Sequence, residues 1–158
     1  MPRSMARQAA LALVYESISG GDADDESLEM ILQEYNQQDT EKKAEQETGE
    51  ESETPRLRRS ERAYVDGLFQ GVMGERELLE EKISGMLTAG WTLERLSRID
   101  LCILLLALRE LESGDAPDNV VISEALRLAD TFSEPKSKGF INALLGRAVR
   151  QKQAVENP

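Results

Sequence analysis

The run of apolar residues from Leu101 to Leu108, LCILLLAL, constrains the fold of this chain more than any other feature. Preceded by Leu93 and Leu96 at helical spacing, it would cover every side of a helix, and only burial on most faces tolerates such a surface. The run is far shorter than the roughly 20 residues that span a bilayer. We therefore predict a central buried helix over residues 92–112, with Thr92 as its N-cap.

Apolar stripes of helical period predict further helices on both sides of the central one. The stripes run over residues 3–18, 28–35, 64–73, 78–87, 120–132 and 140–148. No segment alternates apolar and polar residues as a half-buried strand does. The predicted fold is all-α, with two small helical bundles at residues 1–74 and 75–158, the second built around the central helix.

An acidic stretch interrupts the N-terminal half between the second and third stripes. Residues 37–54 contain no large apolar side chain and are rich in glutamate, so they offer nothing to bury. This composition predicts a mobile, disordered loop. Two roles stay open for the insertion: a solvated segment without specific function, or an electrostatic device for autoinhibition or solubility.

Several features of the composition argue against an enzyme. The chain has no histidine, which is the commonest general base and metal ligand. No glycine-rich phosphate loop or metal-ligand spacing accompanies its acidic pairs. The single cysteine, Cys102, lies inside the apolar run, which predicts a buried, reduced thiol. We predict no catalytic residue, no metal and no cofactor.

The N-terminal residues indicate where the protein acts. They carry arginines but no uninterrupted apolar segment before a small-residue cleavage site, so they do not predict a secretory signal. We expect a cytoplasmic protein without membrane contact.

The net charge of −11 argues against a broad nucleic-acid surface, because phosphate binding requires lysine and arginine. Any such surface must therefore be local. Arg3 and Arg7 lie on the predicted polar side of the first helix, and Lys136, Ser137 and Lys138 surround a helix N-terminus, where backbone N–H groups favour a phosphate. The alternative is an ordinary helix cap with two solvated lysines.

At these residues the sequence resembles the NusB family of bacterial transcription antitermination factors. The matching segments are Ala6-Arg7 with the alanine-rich helix up to Tyr15, Tyr64, LFQGV at 68–72, WTLERLSRID at 91–100, LALREL at 106–111, VISEALRLADTFS at 121–133 and KSKGFINALL at 136–145. The resemblance implies an all-α fold of two helical bundles and no catalytic activity. It also implies binding to boxA RNA together with ribosomal protein NusE, in support of processive ribosomal RNA transcription by RNA polymerase with other Nus factors.

The resemblance also assigns contacts to individual residues. RNA contacts are implied for Arg3, Arg7, Tyr64, Lys136, Ser137, Lys138 and Phe140, and NusE contacts for Tyr15, Glu94 and Asp100. Cationic groups would neutralise phosphates, Ser137 would donate a hydrogen bond, and exposed aromatic rings would stack on bases. Tyr64 and Phe140 also fit the core, since both lie on apolar stripes, and the two acids also fit a solvated face or pairing with Arg98.

Two further interpretations stay open for the function. In the first, the chain is a protein-only adaptor for NusE with little intrinsic RNA affinity, because its surface is so acidic. In the second, weaker one, it corresponds to the NusB-like domain that precedes some ribosomal RNA cytosine methyltransferases, although a sequence that stops at Pro158 leaves no room for the cofactor-binding domain. Homodimerisation of the free protein is open as well.

Overall fold

The computed structural model describes residues 2–20 and 59–156, and within these ranges all regular structure is helical. The helices are α1 (Pro2–Ile18), α2 (Arg59–Gly74), α3 (Arg76–Met86), a short 3₁₀ helix (Leu93–Arg95), α4 (Arg98–Ser113), α5 (Asp118–Phe132) and α6 (Pro135–Glu156). The all-α prediction is confirmed. The helix predicted around residues 28–35 and the acidic loop predicted at 37–54 lie outside the described residues.

The chain divides into two compact units, Met1–Phe69 and Gln70–Pro158, so the boundary falls inside α2. The sequence placed the boundary after residue 74, where α2 ends, and that placement stays a prediction. In the first unit, α1 buries small and branched side chains, which are Ala6, Ala9, Ala10, Leu11, Leu13 and Val14. The part of α2 in this unit buries Val65, Leu68 and Phe69.

Helix α4 is the centre of the second unit. Every residue from Cys102 to Leu108 is buried, and α4 packs against α3, α5 and α6. Burial on all sides explains why the apolar run carries no polar residue. The prediction of a central buried helix is therefore confirmed. No helix in the described part of the chain is long and apolar enough to cross a membrane.

The predicted start of the central helix is wrong. Residues Leu93–Arg95 form a 3₁₀ helix, Leu96 is extended, and α4 begins only at Arg98. The reason is the N-cap, because the Ser97 hydroxyl accepts a hydrogen bond from the backbone N–H of Asp100 at 3.2 Å, whereas Thr92 makes no side-chain cap bond. The helix ends at Ser113, one residue after the predicted end at residue 112, and Gly114 follows it with a left-handed φ of 71°.

The start of the last helix also differs from the prediction. The sequence indicates a helix N-terminus around Ser137, and α6 begins two residues earlier, at Pro135. Proline suits the first helical position, because its φ is fixed near the helical value and the N–H it lacks would have no intrahelical partner. Ser137 therefore lies in the first turn, where its hydroxyl donates a hydrogen bond to Asp100 of α4 and does not cap the helix.

Candidate RNA- and partner-binding site

Asp100 connects three helix ends in the second unit. It lies in the first turn of α4 and is only 7% exposed. One carboxylate oxygen accepts a hydrogen bond from Ser133, which follows α5, at 2.5 Å, and the other accepts from Ser137, in the first turn of α6, at 2.7 Å. Hydrogen bonds to a charged acceptor are stronger than neutral ones. This cluster fixes the turn between α5 and α6 against the start of α4.

The placement of Asp100 bears on the role expected from the resemblance. Its spacing from Ser97 is that of a capping box, in which the acidic side chain would bond back to the N-cap. Here both oxygens bond to serines of the α5–α6 turn instead. A direct contact from Asp100 to NusE stays a prediction, whereas its contacts within the chain are structural.

The α5–α6 turn presents the two lysines predicted to bind RNA. The Lys136 side chain is 86% exposed and lies 3.5 Å from the carboxylate of Glu134. The Lys138 ammonium group donates to the carboxylate of Asp130 at 2.9 Å, and both side chains are about half exposed. Exposed ion pairs contribute little to stability and are screened by salt. A phosphate can therefore compete with either acid for its lysine.

Ser137 differs from its two neighbours. It is only 8% exposed, and its hydroxyl already donates to Asp100. A hydroxyl has a single hydrogen to donate, so a hydrogen bond from Ser137 to RNA, which stays a prediction, would replace the bond to Asp100. Its remaining capacity is as an acceptor.

An open cleft of about 680 Å³ lies between the start of α4 and the α5–α6 turn. Its lining includes Trp91, Arg95, Phe132, Lys136 and Phe140, together with the Asp100 cluster. The rings of Trp91 and Phe140 are tilted by 33°, with centroids 6.2 Å apart. Phe140 is partly exposed, so its predicted position on an apolar stripe still leaves part of the ring accessible.

Glu94 lies next to this cleft on the 3₁₀ helix and is exposed, as a partner contact requires. Its neighbour Arg95 donates from Nη1 to the carbonyl of Gly90 at 3.0 Å. The prediction that Glu94 contacts NusE stays open. Within this unit, Glu94 and Asp100 lie close in sequence but differ in exposure, so only Glu94 presents its side chain to solvent.

The first unit contains the other predicted contacts. Arg7 was expected on the polar side of α1, and this is wrong, because it is only 4% exposed. Its guanidinium carbon lies 5.9 Å from the centroid of the Tyr64 ring, within the range of a cation–π interaction. Tyr64 is partly exposed and Tyr15 is 41% exposed. Arg3 belongs to α1, but its side chain lies outside the described residues.

Cys102 carries no chemistry in this arrangement. It is fully buried in α4, and desolvation raises the pKa of its thiol to about 12, although Arg76 and Arg98 oppose this shift. The thiol is thus neutral at pH 7 and unreactive. No cluster of residues in the described part of the chain could hold a metal ion.

A comparison with known families tests the family resemblance of this helical chain. A model of the NusB family matches residues 4–150. The chain belongs to the NusB family. The resemblance noted in the sequence is confirmed, and the chain is a member of a family of transcription antitermination factors.

Relatives support the same assignment at the level of sequence. The transcription antitermination protein NusB of Clostridium botulinum (strain Kyoto / Type A2) is 34% identical over 150 residues, which cover 94% of this chain and 100% of the relative. The protein of the same name from Limosilactobacillus reuteri (strain DSM 20016) is 44% identical over 95 residues, which cover 60% of this chain and 67% of the relative.

Solved structures share the fold. NusB of T. maritima matches with a TM-score of 0.71 and 26% identity, over 95% of this chain and 92% of that one. A complex described as antitermination factors NusB and NusE with double-stranded RNA contains a chain that matches with a TM-score of 0.69. That match covers 95% of this chain and 97% of the other at 16% identity, so it shows the fold alone.

Sequence reasoning missed several residues of the cleft. Phe132 ends the apolar stripe over residues 120–132 and Trp91 directly precedes the predicted central helix, yet both are exposed and line the cleft. The sequence predicts no contact for Ser133, which bonds to Asp100. A sequence signal existed for Trp91, since a tryptophan preceding the first turn of a helix lies at its edge rather than in its packed middle.

Proposed function

We propose that this NusB family member binds boxA-type RNA together with ribosomal protein NusE and thereby supports processive transcription of ribosomal RNA. The proposal includes the cytoplasm as the site of action and association with RNA polymerase and other Nus factors. The observation that carries it is the family match over residues 4–150, because it includes every predicted RNA and NusE contact except Arg3. A solved complex that contains a NusB, a NusE and RNA supports the choice of partners.

The geometry of the second unit supports the RNA part of the proposal. Lys136 and Lys138 lie two residues apart in the first turn of α6, and both side chains are exposed. Phosphates are attracted to such a helix N-terminus by the backbone N–H groups as well as by the two ammonium groups. Phe140 provides a partly exposed ring next to the same turn, where a splayed base can stack.

A second function, that of a protein-only adaptor for NusE, is favoured by a specific observation. Each of the two lysines has an acidic neighbour, Glu134 for Lys136 and Asp130 for Lys138. The net charge of −11 acts in the same direction, because it repels the RNA backbone at long range. In this alternative the basic partner supplies nearly all of the RNA affinity.

Titration of fluorescently labelled boxA RNA, with and without NusE, over a series of salt concentrations separates the two functions. If the chain contacts RNA, adding it to NusE should tighten binding and steepen the dependence of affinity on salt, by about 0.7 units of slope per phosphate contact to single-stranded RNA. An unchanged slope at increased affinity would support the adaptor. No RNA binding by the mixture would contradict the proposed function.

A titration of the protein with NusE, without RNA, tests the predicted contact with the protein partner. Glu94→Lys should weaken NusE binding, because it reverses an exposed charge at the predicted contact. Glu112→Lys makes the same chemical change at another position and is the control. Because Glu112 accepts a hydrogen bond from Lys82, the stability of the Glu112→Lys variant is measured in parallel. Equal effects of the two variants would remove Glu94 from the interface.

A further inference from the structure

The cleft at the start of α4 gathers aromatic side chains at the surface. Trp91 is 51% exposed and Phe132 is 41% exposed, and both line the cleft together with Phe140. The chain has one tryptophan and three phenylalanines, so the tryptophan and two of the phenylalanines meet at one place. Because exposed apolar side chains are usually scattered singly, such a cluster indicates a binding surface.

Trp91 is held in place before anything binds. Its backbone N–H donates to the carbonyl of Thr88 at 3.1 Å, and its ring packs at 6.2 Å from the ring of Phe140. Half of the side chain nevertheless remains accessible to solvent. A large ring with two side-chain torsions, fixed in advance, loses little conformational entropy when a flat ligand stacks on it.

The rim and the inner wall of the cleft indicate the kind of ligand. Lys136 stands at the rim with an exposed ammonium group, and Arg95 is fixed there by its bond to Gly90. The buried part of the wall is polar, since the Asp100 carboxylate and two serine hydroxyls lie in it. A polar wall suits the hydrogen-bonding edge of a nucleobase. An apolar side chain of a protein partner would instead remove water from these polar groups without replacing its hydrogen bonds, which is unfavourable.

We propose that Trp91 is a base-stacking residue, and that the cleft takes one unpaired nucleotide of single-stranded RNA. The base stacks on the indole ring inside the cleft, and the phosphate lies near Lys136. Aromatic faces beside cationic groups are the usual means of holding single-stranded nucleic acid. The volume of about 680 Å³ lies within the range of small-ligand sites. This inference rests on the proposed function and adds the residue that holds a splayed base.

Tryptophan fluorescence tests the inference on the unaltered protein, because Trp91 is the only tryptophan of the chain. Unlabelled boxA RNA should quench the emission in a saturable way, with the same dissociation constant as the anisotropy of labelled RNA. If NusE is needed for tight binding, a NusE without tryptophan is used in the titration. This measurement does not depend on whether any variant folds.

Substitutions then measure the contribution of stacking. Trp91→Ala should weaken RNA binding about tenfold, within the range of stacking energies for one base, and should leave the salt slope unchanged because no phosphate contact is lost. Trp91→Phe should stay within about threefold of the unaltered protein, since phenylalanine also stacks. Leu78→Ala is the control, because Leu78 is equally exposed at 50% but does not line the cleft.

The outcomes separate this inference from the function on which it rests. RNA binding without quenching, together with a Trp91→Ala effect below twofold, would overturn the inference and leave the proposed function standing. Quenching by NusE alone, with weaker NusE binding by Trp91→Ala and normal RNA binding, would make the cleft a protein interface and also overturn it. A mixture that binds no RNA would overturn both.

Discussion

Helix α1 and the α5–α6 turn both carry cationic residues that the family resemblance assigns to RNA. The side chains of these residues differ in their exposure to solvent. Arg7 of α1 is 4% exposed and lies over the ring of Tyr64, whereas the Lys136 side chain of the turn is 86% exposed. A buried guanidinium is held by the protein and contributes to its packing. An exposed ammonium group is available to a phosphate.

A cation in a sequence motif is therefore not by itself a phosphate contact. Arginine has a long apolar stem and a planar head that stacks on aromatic rings, so burial over tyrosine is compatible with its chemistry. Lysine carries a compact, strongly hydrated charge that favours solvent. We therefore expect the turn to provide most of the electrostatic attraction for RNA, and Arg7 to contribute mainly to stability.

Reversing both charges of the turn should have the largest effect. Lys136→Glu with Lys138→Glu should weaken boxA binding by the NusE complex roughly 50-fold at low salt and reduce the salt slope by about 1.4, which corresponds to two phosphate contacts. Stability should change little, because both ion pairs are exposed. Fluorescence anisotropy and urea unfolding measure the two quantities. An unchanged slope would remove the turn from the RNA interface.

Removing the buried guanidinium of Arg7 tests whether this residue contributes to stability rather than to RNA binding. Arg7→Ala should lower the free energy of unfolding by about 2 kcal/mol, because it removes a desolvated cation–π contact and the packing of the arginine stem. The RNA salt slope should stay constant. Tyr64→Leu is the matched variant, since it keeps an apolar side chain but removes the ring face. If the salt slope of RNA binding fell by about 0.7, the value for one phosphate contact, while the free energy of unfolding stayed constant, Arg7 would be a phosphate contact.

The same contrast shows how far the sequence could predict this molecule. The apolar run from Leu101 to Leu108 fixes a central helix because no other arrangement buries every side of it, and the structure agrees. Helix starts were harder, because Thr92 and Ser97 are both good N-caps and only the bond from Asp100 N–H to Ser97 selects one of them. Pattern alone does not show which cap is used.

The contacts of the candidate site are harder to predict from the sequence than its place along the chain. Lys136, Lys138 and Phe140, which the family resemblance assigns to RNA, lie together at the start of α6, and their contacts with RNA stay predictions. The bonds that join Asp100 to Ser133 and Ser137 span 33 and 37 residues, so no local pattern could reveal them. The burial of Arg7 likewise depends on a ring from another helix, at Tyr64.

Removing the acidic neighbours of the turn should produce a smaller effect of opposite sign. Glu134→Gln with Asp130→Asn leaves both lysines without their carboxylate neighbours, so boxA binding should tighten about three- to fivefold at low salt and the gain should disappear at high salt. Glu81→Gln on α3 with Glu156→Gln at the far end of α6 removes the same number of negative charges from exposed acids, so it is the control for net charge alone. An equal gain in the control would assign the effect to long-range repulsion.

Deleting residues 37–54 should change the stability of the protein very little. The effect of the deletion on RNA affinity tests whether the segment competes with RNA. The segment offers no large apolar side chain to bury, so the melting temperature should shift by no more than about 2 °C. If its acids compete with RNA for the lysines of the turn, deletion should tighten binding at low salt, and combining it with Lys136→Glu and Lys138→Glu should abolish that gain. A gain that survives the charge reversal would mean that the segment acts elsewhere, and an unchanged affinity would leave a solvated insertion without a role in RNA binding.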